Sequence, residues 1–289
     1  MDESAVFGEA GEIQLEQGTI RYREVGSGEP ILFVHGVLVN GVLWREVVPR
    51  LSGRFRCVVP DLPLGGHSVP LRPEADVSPR GVAKIVADFM EALDLRDVTL
   101  VGNDTGGAIC QIVIANHPGR IGRLVLTNCD AYEAFFPLLL RPVQLGARVF
   151  GTRFVDFLTW TLRPRTIRRL TLWIGAKRRV DDEVLDAYFA SLVRDPGVRR
   201  DLTRFLAQVS NRHTLEAARS FPGFRRPVLI VWGEDDLFFP KRYARRLERD
   251  FPDATLEFLE NSRAFVPEDR PERLAGLIGS FLGARSGVG

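Results

Sequence analysis

An aspartate flanked by glycines is the residue of this chain whose setting points most directly to chemistry. Asp104 has Gly102 and Gly106 two residues to either side. It follows the apolar run 98–101 and precedes a helix-like segment at 108–115. Strand, tight turn and helix form the pattern of a nucleophile elbow, which raises one side chain above the edge of a sheet. A carboxylate there can attack an electrophilic carbon or move a proton, so we expect Asp104 to be catalytic.

Two acidic residues farther along the chain are the expected partners of Asp104. Asp235 and Asp236 come just after the apolar run 227–232, which has the composition of a buried strand. We expect Asp236 to be the second catalytic acid and keep Asp235 as its competitor. The alternative is that both carboxylates only stabilise the N-terminus of a helix that begins near Pro240.

Apolar runs alternate with helical patterns through most of the chain, and these elements have to hold the acids in place. Runs typical of strands occur at 30–34, 55–61, 98–101, 123–127, 227–232 and 254–259, after a predicted hairpin at 12–24. Helical patterns occur at 43–51, 79–93, 108–115, 240–251 and 271–282. This alternation predicts an α/β fold with a mostly parallel twisted sheet that is flanked by helices.

A long helical stretch interrupts the alternation. Helical patterns occupy 143–162, 166–176 and 184–206, with no strand pattern between them. Because strands resume afterwards, we predict that this stretch is an inserted helical cap (lid). The predicted division is a first core part at 1–130, the helical cap at 131–212 and a second core part at 213–289.

The predicted cap is rich in aromatic residues, which helical spacing places mostly in its core, while a few must face the carboxyl edge of the sheet. They are Phe135, Phe136, Phe150, Phe154, Phe157, Trp160, Trp173, Tyr188 and Phe189. An apolar cover above a buried carboxylate favours a hydrophobic small-molecule substrate, aromatic ones included. The arginines of the cap are interpreted as a solvated face and not as an anion site.

The composition bounds the class of protein. A formal net charge of +2 gives no signal for nucleic acid or for a membrane, so neither is expected as a partner. Three scattered cysteines argue against a disulfide framework or a zinc site, and no metal or cofactor is expected. We see no signal peptide and no run of membrane-spanning length, so a soluble cytoplasmic protein is expected. The oligomeric state stays open.

The ordered set of motifs resembles the α/β-hydrolase fold superfamily over nearly the whole chain. The motifs are His35-Gly36 after an early strand, the segment 60–68, the turn at 102–106, the acid-bearing turn 232–236 and the loop 261–272. An aspartate at the elbow is similar to the branch that contains haloalkane dehalogenases and epoxide hydrolases. There the carboxylate attacks carbon to form an alkyl ester, a histidine activates water, and a second carboxylate orients the histidine. The resemblance implies that the N–H groups of Val37 and Thr105 form the oxyanion hole.

The chain departs from that branch in the loop 261–272. Ala264 occupies the place of the catalytic histidine, and no histidine follows His213. Arg263 stands where the branch usually has a small residue, which favours natural divergence over an engineered change. Without the histidine, the ordinary route from alkyl ester to product is broken.

The groups that bind or protonate leaving groups in that branch are also altered. Dehalogenases carry Trp and Asn at the places of Thr105 and Val37, so the usual halide donors are missing. Tyr132 and Tyr188 are candidates for the proton-donating cap tyrosines of epoxide hydrolases. The expected substrate-binding residues are His35, Asn103, Asn128, Asp130, Tyr132, Tyr188 and Ala264.

These observations favour an enzyme with a degenerate triad. The leading hypothesis is a non-hydrolytic reaction of a hydrophobic small molecule, such as addition, cyclisation or C–C bond formation in natural-product biosynthesis. Asp104 would act there as a general base or acid. The alternatives are an aspartate-nucleophile hydrolase of the epoxide or haloalkane kind, and a non-catalytic small-molecule-binding protein.

Overall fold

A single eight-stranded sheet organises the protein, in a computed structural model that describes residues 7–283. The strands are β1 (Glu9–Leu15), β2 (Gly18–Val25), β3 (Pro30–Val34), β4 (Arg56–Pro60), β5 (Val98–Asp104), β6 (Ile121–Cys129), β7 (Val228–Gly233) and β8 (Ala254–Leu259). They lie in the order β1-β2-β4-β3-β5-β6-β7-β8. The pairs from β4 to β8 are parallel, whereas β1 and β2 form an antiparallel hairpin at one edge. The predicted mostly parallel sheet is confirmed.

Helices cover both faces of the sheet, as continuous apolar strands require. They are α1 (Pro79–Ala92), α2 (Thr105–Asn116), α3 (Arg141–Phe150), α4 (Thr152–Thr161), α5 (Arg165–Gly175), α6 (Asp182–Arg194), α7 (Pro196–Gln208), α8 (Asn211–Ala218), α9 (Lys241–Asp250), α10 (Val266–Asp269) and α11 (Pro271–Gly283). Every residue of β5 is buried, and so are the first ten residues of α2. The turn between β5 and α2 is therefore held on both sides by packed elements.

Local chemistry explains where several helices begin and end. α1 starts as predicted, because the Ser78 side chain accepts a hydrogen bond from the N–H of Gly81 and Pro79 occupies the first helical position. The helix expected at 43–51 is instead two short 3₁₀ turns, Gly41–Trp44 and Val48–Arg50. The second turn begins around Pro49, whose ring cannot donate the N–H that a continuous helix needs.

Six helices, α3 to α8, lie between β6 and β7. Residues 138–208, which contain α3 to α7, are called the helical insertion from here on. The stretch expected as one helix at 143–162 is two, because Gly151 adopts φ +60° between α3 and α4. The stretch 184–206 is likewise two helices, divided at Asp195, whose side chain accepts the N–H of Gly197 at the start of α7. Periodicity alone does not reveal either break.

The helical insertion packs on the loops that follow the carboxyl ends of the parallel strands. The Asn40 side chain, beyond β3, donates to the carbonyl of Ala187 in α6 at 3.0 Å. A Cβ added to Gly65, beyond β4, would meet the Leu202 side chain of α7 at 3.1 Å. Two N–H groups of the insertion, at 177 and 178, donate to the Asp269 carboxylate at 2.7 and 2.8 Å.

The aromatic residues of the insertion divide between its interior and its surface. Tyr188 and Phe189 are buried as expected. Four others, expected to be mostly core, are more than half exposed: Phe150, Phe157, Trp160 and Trp173. The expectation is wrong for these four because helical periodicity shows that a face is apolar, not that another element covers it. Among residues 7–283, no helix is both long and apolar enough to cross a membrane.

Candidate active site

Asp104 lies at the sharp turn between β5 and α2, with φ 55° and ψ −132°. This conformation is unfavourable for a residue with a side chain and is typical of functional turns. The flanking glycines make the turn possible. A Cβ at Gly106 would lie 2.3 Å from the carbonyl oxygen of Val34, and one at Gly102 would lie 2.7 Å from Cys110 Sγ. The predicted elbow geometry is present.

Backbone N–H groups converge on the Asp104 carboxylate. The N–H of Val37 donates to Oδ2 at 3.2 Å, and the N–H of Thr105 lies close enough to the carboxylate to lower its pKa. The approach is close enough that a Cβ on Gly36 would lie 2.2 Å from Oδ2. The pKa of Asp104 is raised to about 7, chiefly by burial and also by the nearby Asp236, against the lowering effect of the N–H groups of Thr105 and Val37.

Asp236 is the less exposed member of the acidic pair that follows β7. Its Oδ2 accepts a hydrogen bond from Asn128 Nδ2 at 2.5 Å, and its Oδ1 accepts the N–H of Phe238 at 2.7 Å. Burial raises the pKa of Asp236 to about 6. Asp235, by contrast, points outward and pairs with Lys177 at 2.7 Å. The structure therefore places Asp236, and not Asp235, with the buried carboxylates.

Asn128 positions the turn that carries Asp236. Its Oδ1 accepts the N–H of Gly233 at 2.6 Å, and its Nδ2 donates to the carbonyl of Gly233 at 3.2 Å as well as to Asp236. Both ends of the amide are thus used within the protein. Asn128 fits the role of a positioning residue better than that of a direct substrate contact.

Asp130 adds a third buried carboxyl group. Its Oδ2 accepts the Thr105 hydroxyl at 3.2 Å, whereas its Oδ1 is buried with no partner among residues 7–283. Burial and the neighbouring Asp104 raise the pKa of Asp130 well above its usual range. Three carboxyl groups that disfavour one another's ionisation cannot all be charged near neutral pH.

No histidine in the described part of the chain hydrogen-bonds to any of these acids. His35 is buried, with Nδ1 beside the carbonyl of Gly36 at 2.9 Å and Nε2 accepting the N–H of Leu62 at 2.8 Å. Burial lowers the pKa of His35 to about 4, so the ring is neutral and braces two loops. His67 pairs with Asp201 at 3.4 Å, away from Asp104.

Ala264 is buried in the loop before α10, and Asn103 holds its backbone. The Nδ2 of Asn103 donates to the carbonyl of Ala264 at 2.7 Å and to the Thr127 hydroxyl at 2.8 Å. The Oδ1 of Asn103 is buried and unpartnered within residues 7–283. This amide ties the loop to β5 and β6, directly beside Asp104 in the chain.

The two tyrosines predicted as proton donors have other partners. The Tyr132 hydroxyl donates to Asp250 of α9 at 3.0 Å, and the Arg246 guanidinium lies 3.7 Å from the centre of its ring. The prediction of Tyr132 as a pocket residue is therefore corrected, because its phenol is engaged at the surface of α9. The Tyr188 hydroxyl is buried and donates to Glu268.

Tyr188 belongs to a network that the sequence did not reveal. Arg45 donates to both carboxylate oxygens of Glu268, at 2.7 and 2.8 Å, and lies 3.5 Å from the Tyr188 hydroxyl. The network joins the loop after β3, the insertion helix α6 and α10. Arg45 and Glu268 are 223 positions apart, so no local pattern could pair them.

Comparisons with known proteins agree with this architecture. A family profile described as alpha/beta hydrolase fold matches residues 29–271. Haloalkane dehalogenase 2 of Mycobacterium tuberculosis is 30% identical over 268 residues, which is 91% of each chain. Cis-3-alkyl-4-alkyloxetan-2-one decarboxylase of Xanthomonas campestris is 28% identical over 277 residues, 88% of each chain. A variant of the haloalkane dehalogenase DatA from Agrobacterium tumefaciens superposes with a TM-score of 0.81 at 21% identity, over 95% of this chain and 96% of that one.

Proposed function

The chain belongs to the alpha/beta hydrolase fold family, and on this premise we propose that Asp104 is a nucleophile toward an electrophilic carbon of a hydrophobic small molecule. The observation that carries this proposal is the hydrogen bond from the N–H of Val37 to Oδ2 of Asp104, at 3.2 Å. It holds one carboxylate oxygen in an oxyanion hole and leaves the other for attack. The same N–H groups would stabilise the oxyanion that forms when water later attacks the ester carbonyl.

The reaction has two steps. In the first, a lone pair of Asp104 Oδ1 forms a C–O bond to the substrate carbon, and the bond from that carbon to the leaving group breaks with its electron pair. In the second, water adds to the carbonyl carbon of the Asp104 ester and loses a proton to a base, and the alcohol leaves. Splitting the reaction in this way needs one nucleophile and one base.

We infer that Asp236 is that base, since Ala264 takes the place of the histidine. Asp236 has a pKa of about 6 and lies near enough to Asp104 to raise its pKa. A carboxylate with such a pKa is mostly ionised at neutral pH and still accepts a proton from water in a transition state. Asn128 and the N–H of Phe238 hold its orientation.

The substrate class follows from the leaving group. Val37 and Thr105 replace the halide-binding residues, so a substrate that carries its own leaving group in a strained ring suits the site better than a haloalkane. The decarboxylase relative is named for such a ring, a dialkyl-substituted four-membered lactone. Opening of an epoxide ring produces an alkoxide that takes up a proton, and Asp130, whose raised pKa keeps it neutral, is the proposed donor.

A second candidate function keeps the chemistry non-hydrolytic. Its supporting observation is that no imidazole within residues 7–283 hydrogen-bonds to Asp104, Asp130 or Asp236. With a pKa of about 7, Asp104 would then transfer a proton to or from the substrate in an addition, cyclisation or C–C bond formation. A non-catalytic binding protein would keep the same site without turnover.

Matched eight-carbon substrates test the main proposal. We expect epoxyoctane to be hydrolysed faster than bromooctane, and Asp236→Asn protein to accumulate one alkyl adduct on Asp104, seen as a mass increase of the intact protein. Asp235→Asn, which changes the exposed neighbour, is the matched control and should leave turnover unchanged. Turnover that survives Asp104→Asn contradicts the proposal. Absence of both adduct and turnover with either substrate favours the second candidate.

A further inference from the structure

The outer surface of the helical insertion exposes an unusual number of large apolar side chains. Ten of the eleven large hydrophobic residues that are exposed within the described chain lie between 138 and 173. They are Leu138, Leu139, Leu145, Val149, Phe150, Phe157, Trp160, Ile167, Leu170 and Trp173. Single exposed apolar residues need no explanation, but a concentration of this kind marks an interaction surface.

Helical spacing places eight of these residues on the outward faces of α3, α4 and α5, while Leu138 and Leu139 lie in a 3₁₀ turn just before α3. In α3, Leu145 and Val149 are one turn apart, whereas Gly146 and Ala147 face inward. In α4, Phe157 and Trp160 stack with their ring centres 6.1 Å apart. In α5, residues 167, 170 and 173 recur every third position and are all exposed. Each helix is therefore apolar on its outward face as well as on its packed face.

The same segment is strongly basic. Residues 138–179 contain ten Arg and Lys residues and a single acid, Asp156, for a net charge of +9. The rest of the chain has 29 basic and 36 acidic residues, for a net charge of −7. The overall charge of +2 thus hides a division between the basic segment 138–179 and an acidic remainder. A basic surface of this size attracts anions over about a Debye length.

Several of the basic side chains have no acidic partner. Within residues 7–283, six exposed arginines take part in no ion pair: Arg141, Arg148, Arg153, Arg163, Arg178 and Arg179. A surface groove of about 470 Å³ lies beside α5, lined by Leu170, Trp173, Arg178 and Arg179 among others. Apolar side chains and unpaired guanidinium groups therefore share one depression of the surface.

We propose that this basic apolar surface, formed by residues 138–179, binds the surface of a bilayer that contains anionic phospholipids. Exposed Leu, Phe and Trp side chains enter the boundary between headgroups and acyl chains, and the free arginines pair with lipid phosphates. Trp is suited to this depth because its ring is apolar and its N–H is polar. A second copy of the chain that binds through the same face is a poorer occupant, since the six unpaired arginines of one surface would repel those of the other. This inference is independent of the reaction at Asp104, and it revises the expectation that a net charge near zero excludes membranes.

Vesicle flotation of the full chain tests the proposal. We expect it to float with vesicles of phosphatidylcholine and phosphatidylglycerol, and to bind pure phosphatidylcholine vesicles at least about tenfold more weakly, with added salt reducing the difference. The double variant Phe157→Ser with Trp160→Ser should lose about tenfold or more in binding. Arg148→Glu should lose about fivefold or more. These side chains are exposed, so the variants should keep the thermal unfolding midpoint of the parent.

Matched controls lie outside the surface. Leu237→Ser removes an equally exposed apolar residue near the site, and Arg273→Glu reverses an exposed arginine of α11. Both should float as the parent does. The proposal would be overturned if the chain did not float with vesicles, or if its flotation did not depend on anionic lipid. It would also be overturned if the control variants lost as much binding as the surface variants. So would a dimer in solution that the Phe157→Ser and Trp160→Ser variant dissociates.

Discussion

The carboxyl edge of the sheet and the outer face of the helical insertion depart in opposite ways from the usual pattern, in which apolar side chains are buried and charged side chains are exposed. At the sheet edge three carboxyl groups lie largely out of water: Asp104 and Asp130 are buried, and Asp236 is partly buried. On the insertion, side chains such as Trp160 and Leu138 remain in water, exposed by 61% and 75%. Both arrangements cost free energy in the isolated chain. The difference is what the two proposals require, a small molecule bound at the sheet edge and a bilayer surface bound by the insertion.

The Arg45, Glu268 and Tyr188 network forms the junction between the two regions. It joins the loop after β3 to α10, which follows Ala264, and to α6 of the insertion. The Arg45 and Glu268 side chains are 13% and 3% exposed, so each charge is compensated mainly by the other. Changes at this junction should affect both regions, whereas changes within one region should leave the other intact.

The largest effect is expected from removing the charge at the sheet edge. Asp104→Asn should lower turnover of a strained-ring substrate by about 10⁴-fold or more, because the amide cannot form the ester. Binding to anionic vesicles should be unchanged. Steady-state assays and flotation of the same preparation check both halves. A parallel loss of flotation would mean that the two regions are not independent.

Removing the proposed base should have the next largest effect. Asp236→Asn should slow turnover by about 10²- to 10⁴-fold, the usual worth of general-base help, while one adduct still forms. Asp235→Asn is exposed and paired with Lys177, and should change turnover less than about twofold. Rapid-mixing kinetics separate adduct formation from turnover. If the two variants behave alike, Asp236 has no special role.

Substitutions in the Arg45, Glu268 and Tyr188 network should lower the free energy of unfolding more than they lower the rate of the reaction. Glu268→Gln leaves the buried Arg45 without its bidentate partner and should cost about 3–5 kcal/mol of unfolding free energy. Arg50 with Glu272 is a matched exposed pair, so Glu272→Gln should cost less than about 1 kcal/mol. Urea denaturation measures both. Equal losses would show that burial does not set the strength of these pairs.

The smallest expected effect is a gain in stability that depends on pH. The folded-state pKa of Asp104, about 7, lies above its value in the unfolded chain, so folding favours the protonated form. The resulting penalty is absent below about pH 4 and grows as the pH rises toward 7. Asp104→Asn should therefore unfold at the parent's temperature near pH 4, and be more stable by on the order of 1–4 kcal/mol at pH 8. Thermal unfolding at several pH values tests this, and a constant difference would contradict a raised pKa.

Local patterns predicted much of the fold and of the elbow. Ser78 and Pro79 indicate the start of α1, and Gly102 and Gly106 indicate the turn at Asp104. These features depend on neighbours in sequence, which is why a pattern could find them. The divisions at 1–130, 131–212 and 213–289 and the roles of the individual site residues stay predictions.

The features that sequence patterns did not predict are contacts between residues far apart in the chain and apolar faces that no other described element covers. Arg45 and Glu268 meet across 223 positions, beyond the reach of any periodicity. Phe157 and Trp160 are spaced as core residues are, and only the structure shows that nothing within residues 7–283 covers them. Tyr132 lies just after the end of β6, as expected of a pocket residue. Its backbone has a φ of 52°, and its side chain hydrogen-bonds to Asp250 of α9 instead.

A single turnover in ¹⁸O-labelled water, with enzyme in excess over a strained-ring substrate, tests most directly whether Asp104 is the nucleophile. If Asp104 attacks carbon, the first product carries an unlabelled oxygen from the carboxylate, and the label appears in the peptide that contains Asp104. If Asp104 only activates water, the first product carries the label and the peptide stays unlabelled. The first result is the one that the oxyanion-hole geometry at Val37 and Asp104 predicts, and the second would contradict it.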